Sequence, residues 1–327
     1  MSNSTADLSQ KITSAEDIQS VVRTMKALAA SSIGQYQDSL RALVDYYHAV
    51  ELGLAALLRR GTPAGQTGEG KGADAAGAIC AIVFGSDQGL VGQFNERVAD
   101  FAIKTLAGLA GKPQIWAVGE RVLSRLADTG LALAGSYRVP SSVQAITPLV
   151  AQILIDCEAD RGNGAAARVY VFHHRLLSGA LYEPISQRLL PLDAQWKQEL
   201  AKASWPTRTL PEILGTGTTA LGAFVREYLF ISLFRACAES LASENTSRLA
   251  AMERANKNID ELLEQLQGSF HRLRQSGIDE ELFDVRAGSG ELSGSRTIRN
   301  EPAGLTIRPP SAKSLRKSGR QKPFVNP

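Results

Sequence analysis

LSQKITSAEDIQSVVRTMKALAASSIGQYQDSLRALVDYYHAVELGLAALLRR, from Leu8 to Arg60, decides the fold. Apolar or small residues recur at Ile12, Ala15, Ile18, Val22, Met25, Ala29, Ser32, Tyr36, Leu40, Leu43, Tyr47, Val50, Leu54 and Leu57. The gaps are threes and fours in near-alternation, a seam averaging about 3.5 residues, which is the period of a coiled coil. No proline interrupts it, and Gly34 and Gly53 are its weak points. Such a helix spans roughly 75 Å at about 1.5 Å per residue, so it must pack on a partner of similar length.

The partner lies at the other end of the chain. No proline occurs from about Thr218 to Gln275, and apolar residues recur from Leu221 through Tyr228, Ile231, Ala238, Leu241, Met252, Ile259 and Leu266 to Leu273. This second amphipathic helix spans roughly 85 Å by the same rise. Asn245 falls where the seam expects an apolar residue and reads as a register-setting polar insertion. After Asp284 the helical pattern stops.

Between the two helices the pattern changes. Gly61 to Gly77 is a Gly, Ala, Thr and Pro linker. Ala78–Phe84 reads as a buried strand, Gly85–Gly92 as a turn and Gln93–Leu109 as a helix. Gln114–Val118 is a second strand, Glu120–Asp128 and Val143–Cys157 are helices, and Ala167–Phe172 and Glu183–Leu192 are further strands. Alternation of this kind implies an α/β layer with a mainly parallel sheet. The fold expected is α/β plus long α: an antiparallel coiled coil of N- and C-terminal helices with an inserted Rossmann-like α/β domain. Its parts are a shaft helix over 1–60, a linker over 61–77, the α/β domain over 78–215, a second shaft helix over 216–285, and a basic tail over 286–327.

Composition agrees with this plan. Aromatic residues make up only 6% of the 327, which suits long helices better than a β-sandwich. Net charge is +3, but the tail from Arg286 carries nine Lys/Arg against two Asp/Glu, so the body before it is acidic. The tail is rich in Ser, Gly and Pro and reads as disordered. No apolar run is long enough for a transmembrane helix, and Met1–Gln10 lacks an apolar signal core, so the chain is expected to stay on the side where it is made. Cys80, Cys157 and Cys237 are odd in number and lie in apolar surroundings, which argues against a disulfide framework and for a reducing compartment.

Several motifs weigh less than they first suggest. Gly65–Gly72 nearly fits a phosphate-binding P-loop, but Gly72 stands where the magnesium-binding hydroxyl belongs and no buried strand precedes it, so it reads as linker. Ser86–Gly92 has the strand-turn-helix geometry of an anion site without the dinucleotide glycine spacing, and reads as a structural turn. His173 and His174 are adjacent on a strand and point to opposite faces, so they cannot easily share a metal. His48 and His271 read as solvated. No catalytic residue, cofactor or metal site is expected.

Three segments in order resemble the gamma subunits of F-type ATP synthases. Ile18–Ser32 (IQSVVRTMKALAASS) is similar to that family's N-terminal helix motif. Ser86–Asn95 (SDQGLVGQFN) resembles the turn of its α/β domain. Ser243–Asn258 (SENTSRLAAMERANKN) with Arg274–Leu282 (RQSGIDEEL) resembles its C-terminal signature. The resemblance implies a non-catalytic rotor: a helix pair in the cavity of three alpha and three beta subunits, with a foot on the epsilon subunit and the membrane c-ring. It implies no nucleic-acid partner, and a peripheral place on the cytoplasmic face of the cell inner membrane. It also implies subunit-interface roles for Met25 and Lys26 on the first helix, Arg248 and Met252 on the second, and Gln275 and Glu281 near its end.

Gln88 and Val91 replace the Arg and Cys usual in the turn, Asp279 stands where Thr is usual, Ser32 stands where a basic residue is common nearby, and the tail continues beyond the usual end. These departures suggest a divergent branch. Two alternatives compete with the rotor: a coiled-coil scaffold with an α/β head, and an α/β enzyme binding a small molecule at the Ser86–Gly92 turn.

Overall fold

The computed structural model describes residues 4–59, 79–162, 168–177, 181–192 and 216–292, with isolated positions between 196 and 212. The linker 61–77, with the near P-loop Gly65–Gly72, and the tail from 293 lie outside the described residues. Met1–Phe270 forms one compact unit and His271–Pro327 a second.

In the first unit, helix α1 spans Thr5–Arg59. It opens on Ser4, whose Oγ accepts the Asp7 backbone N–H at 3.2 Å and so satisfies one of the unpaired donors of the first turn. Helix α5 (Gly217–Leu292) opens in the same way on Thr216, whose Oγ1 accepts the Thr219 N–H at 3.3 Å. The two helices run antiparallel. As α1 advances through Gln19, Lys26, Tyr47 and Gly53, its partners on α5 recede through Asp260, Glu253, Tyr228 and Phe224.

The buried line on α1 steps by seven through Leu8, Ala15, Val22, Ala29, Tyr36, the partly buried Leu43, Val50 and Leu57. A strict heptad keeps one line of residues on the partner as the helices supercoil. The second line of the seam is not the one the apolar pattern selects. Ile18 is 56% exposed, whereas its neighbour Gln19 is buried and its amide donates to Asp260 across the helix pair. Asn245 is also buried but does not set register across the seam. Its Nδ2 donates to the Leu241 carbonyl at 2.8 Å and its Oδ1 receives Arg248 at 3.4 Å, all within α5.

The inserted domain has strands β1 (Ile79–Phe84), β2 (Pro113–Val118), β3 (Ala132–Tyr137), β4 (Arg168–Leu176) and β5 (Tyr182–Leu190). Their order in the sheet is β3-β2-β1-β4-β5, parallel except for the antiparallel β5. β1 is buried at every residue because it is central and both faces are covered. One face packs under helices α2 (Phe94–Ala107) and α3 (Glu120–Ala127), joining Ile79, Ala81 and Val83 to Val98, Ala102, Val122 and Leu126. The other face carries Cys80, Ile82 and Phe84 under helix α4 (Ile146–Gly162) and the shaft helices, with Val150, Leu54 and Ile231 in the same core.

β3 is a strand that the sequence pattern does not disclose. It is an Ala- and Gly-containing edge strand with one half-exposed face. Gly135 is required there: a Cβ would lie 2.3 Å from the Trp116 ring of the neighbouring strand. In the second unit, residues 271–292 remain helical, so α5 continues past Asp284, where the apolar pattern ends. Ile278, Leu282, Phe283 and Val285 are all exposed there.

Candidate functional site

Two features of the helix pair could meet a partner. The first is its outward surface. Ile18, Val21 and Leu28 are exposed on α1, and with the half-buried Met25 their spacing of three, four and three places them on one face. An apolar row that the chain's own partner helix leaves uncovered has the character of a contact surface. Beside Met25, Lys26 makes an ion pair with Glu253 at 3.2 Å. Both side chains are about half exposed, so the pair orients the lysine more than it stabilises the fold.

The second feature is the joint between α5 and the sheet. In a doubly wound sheet the crevice for a ligand lies beyond the carboxyl ends of the strands where the order reverses, here between β1 and β4. α5 occupies that crevice. Ser243 Oγ contacts the His174 carbonyl at 3.3 Å, and Ser247 Oγ donates to the Val91 carbonyl in the turn after β1. Tyr182 on β5 meets Ser247 Oγ at 3.0 Å. Every residue from Ala236 to Ser247 is buried, so the helix is enclosed all round there.

The turn itself is internally satisfied. Asn95 Oδ1 accepts the Ser86 N–H at 2.9 Å and its Nδ2 donates to Ser86 Oγ at 2.8 Å, while that hydroxyl donates to the Gln88 carbonyl at 2.8 Å. The Asp87 carboxylate accepts the backbone N–H groups of Glu120 and Val139, both at 3.0 Å. Gly119 (φ +115°) lets the chain pass close: a Cβ there would lie 2.8 Å from the Ser86 backbone. These bonds brace the turn from within, and Ser247 of α5 closes on its Val91 carbonyl, which gives it a structural role.

A charged cluster holds α5 to β4. Glu239 accepts from His173 Nε2 at 2.9 Å, Arg235 at 2.8 Å and Arg175 at 3.5 Å. Burial alone would raise this carboxyl, but hydrogen bonds from His173 and Arg235, with the charge of the Arg235 guanidinium, outweigh it and hold it down at about 2. Burial lowers His173, so its ring is neutral and its Nε2–H donates. On the opposite face, His174 donates from Nε2 to the Phe94 carbonyl at 2.8 Å, its ring between Phe94 and Tyr182. Burial lowers it to about 4 against the partial opposition of that bond. The two rings do face opposite ways, and among the described residues no group of three metal-ligating side chains forms.

The residues singled out in the sequence fall into two groups. Met25 and Lys26 lie on the outward part of α1, and Gln275 and Glu281 are exposed in the second unit. Met252 is 2% exposed and belongs to the seam, and Arg248 is locked onto Glu244 at 2.7 Å with its side chain 13% exposed. Both side chains are largely enclosed within the chain. Gln19, Glu239 and His173 carry much of the architecture yet gave no signal beyond a polar residue in an apolar stretch.

A helix pair keyed into an inserted doubly wound domain, with the crevice of that domain filled by its own helix, defines a shaft protein. The family model described as ATP synthase matches residues 4–292. The ATP synthase gamma chain of Cupriavidus pinatubonensis is 26% identical over 300 residues, covering 88% of this chain and 99% of that one. The gamma chain of Janthinobacterium sp. is 24% identical over 286 residues, covering 86% and 97%. The rotor of the Euglena gracilis mitochondrial ATP synthase in rotational state 1 shares the fold with a TM-score of 0.59 at 15% identity, over 84% of this chain and 98% of that one. A chain of the OSCP/F1/c-ring structure of the same enzyme in rotational state 3 reaches 0.61 at 15% identity, over 92% and 98%. This chain belongs to the ATP synthase family, among its gamma chains.

Proposed function

We propose that the chain is the central rotor shaft of an F-type ATP synthase. It couples ion flow through a membrane c-ring to ATP synthesis or hydrolysis on beta subunits, and carries no catalysis of its own. The reading is supported above all by the family match running through both shaft helices and the inserted domain between them. Its mechanism is differential contact. A shaft whose faces differ biases each of three surrounding catalytic subunits toward a different state, and turning it changes which state each one holds.

On this reading Met25, Lys26, Gln275 and Glu281 present the faces that meet the alpha and beta subunits, beside the apolar rows on α1 and at the end of α5. Arg248 and Met252 act from within, fixing the distance between the helices behind those faces. The sheet domain is the foot for the epsilon subunit and c-ring. The complex is membrane-associated, and we place this chain on the cytoplasmic face of the inner membrane, held there through the complex. Among the described residues no helix is long and apolar enough to cross a membrane.

Affinity purification of the tagged chain is the test. Recovery of one copy with three alpha and three beta subunits, in fractions that hydrolyse ATP, is expected. A monodisperse chain without those partners would overturn the rotor reading and favour a scaffold. Single cysteines at Met25 and Glu281 should cross-link to beta subunits, whereas one at Met252 should not.

A further inference from the structure

We propose that Cys80 and Cys157 form an oxidisable dithiol that closes to an intramolecular disulfide, stapling α4 to the central strand of the sheet. The two residues are 77 apart in sequence, yet their sulfurs lie 3.3 Å apart, within van der Waals contact. All three cysteines are reduced and buried. Cys80 lies on β1, on the face covered by α4, and Cys157 continues the inward stripe of α4 through Ile146, Val150 and Ile153. Both sulfurs are therefore held by packed elements on facing surfaces. A strained approach of two mobile loops is not needed.

The pair is graded in access. Cys80 is fully enclosed, while Cys157 retains 6% of its surface at the rim of the core, next to Asp156, whose carboxylate accepts from Tyr137 at 2.5 Å. Cys157 is thus the sulfur that a small oxidant reaches first. With a hydroperoxide such as hydrogen peroxide, the Cys157 sulfur attacks a peroxide oxygen and the O–O bond breaks. Cys157 becomes a sulfenic acid, and the departing hydroxide leaves as water with the thiol's proton. The Cys80 sulfur then attacks the Cys157 sulfur. The S–S bond forms, the S–O bond breaks, and the hydroxyl leaves as water with the proton from Cys80. Two thiols give up two electrons and one peroxide becomes two waters. Cys237 is excluded: it is buried on α5, burial raises its thiol well above the ordinary range, and among the described residues no sulfur lies beside it.

The experiment exposes the assembled complex to graded hydrogen peroxide, alkylates it under denaturing conditions and maps its cysteine peptides by mass spectrometry. The expected result is a Cys80–Cys157 linked peptide that dithiothreitol reverses, with Cys237 alkylated and the alkylatable thiols of this chain falling from three to one. The linked form should melt several degrees above the reduced form, because the cross-link restricts the unfolded chain. Cys237→Ser should link as the parent does. Cys157→Ser and Cys80→Ala should neither link nor gain stability, and because the wild-type chain reduced beforehand serves as its own control, a variant that folds poorly does not decide the outcome. Three alkylated cysteines after treatment, oxidation to unlinked sulfinic acids, a link through Cys237, or an unchanged melting point on linking would each overturn the proposal.

Discussion

At Glu239 a carboxylate sits between a neutral imidazole and two guanidiniums, and its ionisation stays favourable in spite of burial. An amide in its place keeps one acceptor oxygen and turns an NH2 on the other side, so Arg235 and His173 no longer both find an acceptor. Glu239→Gln is therefore expected to lower stability by about 3 kcal/mol near neutral pH, read by denaturant unfolding. The sign with pH follows from the depressed carboxyl. Its contribution is fully present above the ordinary value of 4.5 and is lost as pH falls toward about 2, so the gap between parent and variant should close across that window. At Gly119 the limit is steric. Its positive φ and the Ser86 backbone at 2.8 Å leave no room for a methyl group, so Gly119→Ala should cost about 2–4 kcal/mol by the same measurement.

At the scale of elements, the helix pair depends on a close approach at its base. A Cβ at Gly53 would lie 2.2 Å from the Phe224 ring, so the glycine that reads as a weak point in the helix is what makes room for that ring on α5. Gly53→Ala should destabilise the chain by about 1 kcal/mol, as overlap outweighs the better helix propensity of alanine. In a Phe224→Leu background the same change should become stabilising. A thermal double-mutant cycle checks this, and simple additivity would contradict the contact. The seam was legible in the sequence to within one residue. A 3.5-residue period leaves Ile18 and Gln19 side by side, hydrophobicity favours the first, and the strict heptad with a carboxylate waiting at Asp260 selects the second. β3 was not legible, since an edge strand of alanine and glycine carries neither strong β propensity nor a fully buried face. Nor was the joint with α5, because His173 with Glu239 and Val91 with Ser247 meet across 66 and 156 residues of chain.

For the molecule as a whole, acid should act earlier than the carboxylates alone predict. His174 titrates near 4 in the folded chain against 6.5 when exposed, because burial disfavours its charged form. A lowered histidine stabilises the fold above 6.5, and that contribution fades as pH falls toward about 4. Chemical denaturation between pH 7 and 4 should show declining stability, and His174→Gln, which keeps a donor for the Phe94 carbonyl, should flatten the decline. A slope unchanged in the variant would assign it elsewhere. The fold class and the motifs of this chain were readable from sequence because they are periodic or local. The facing of Arg248 and Met252 was not, because only the packed helices decide which side of a charged or thioether side chain meets solvent.

The enclosed stretch of α5 from Ala236 to Ser247 behaves as a keyway. Twelve successive side chains are engaged on every side, so the helix cannot turn against the sheet without disengaging all of them together. A twist imposed on the foot reaches this part of the axle with no slack to take up and no hinge to absorb it. Compliance in the rotor must therefore be stored elsewhere along the helices, where only one face is engaged and the coil can wind and unwind.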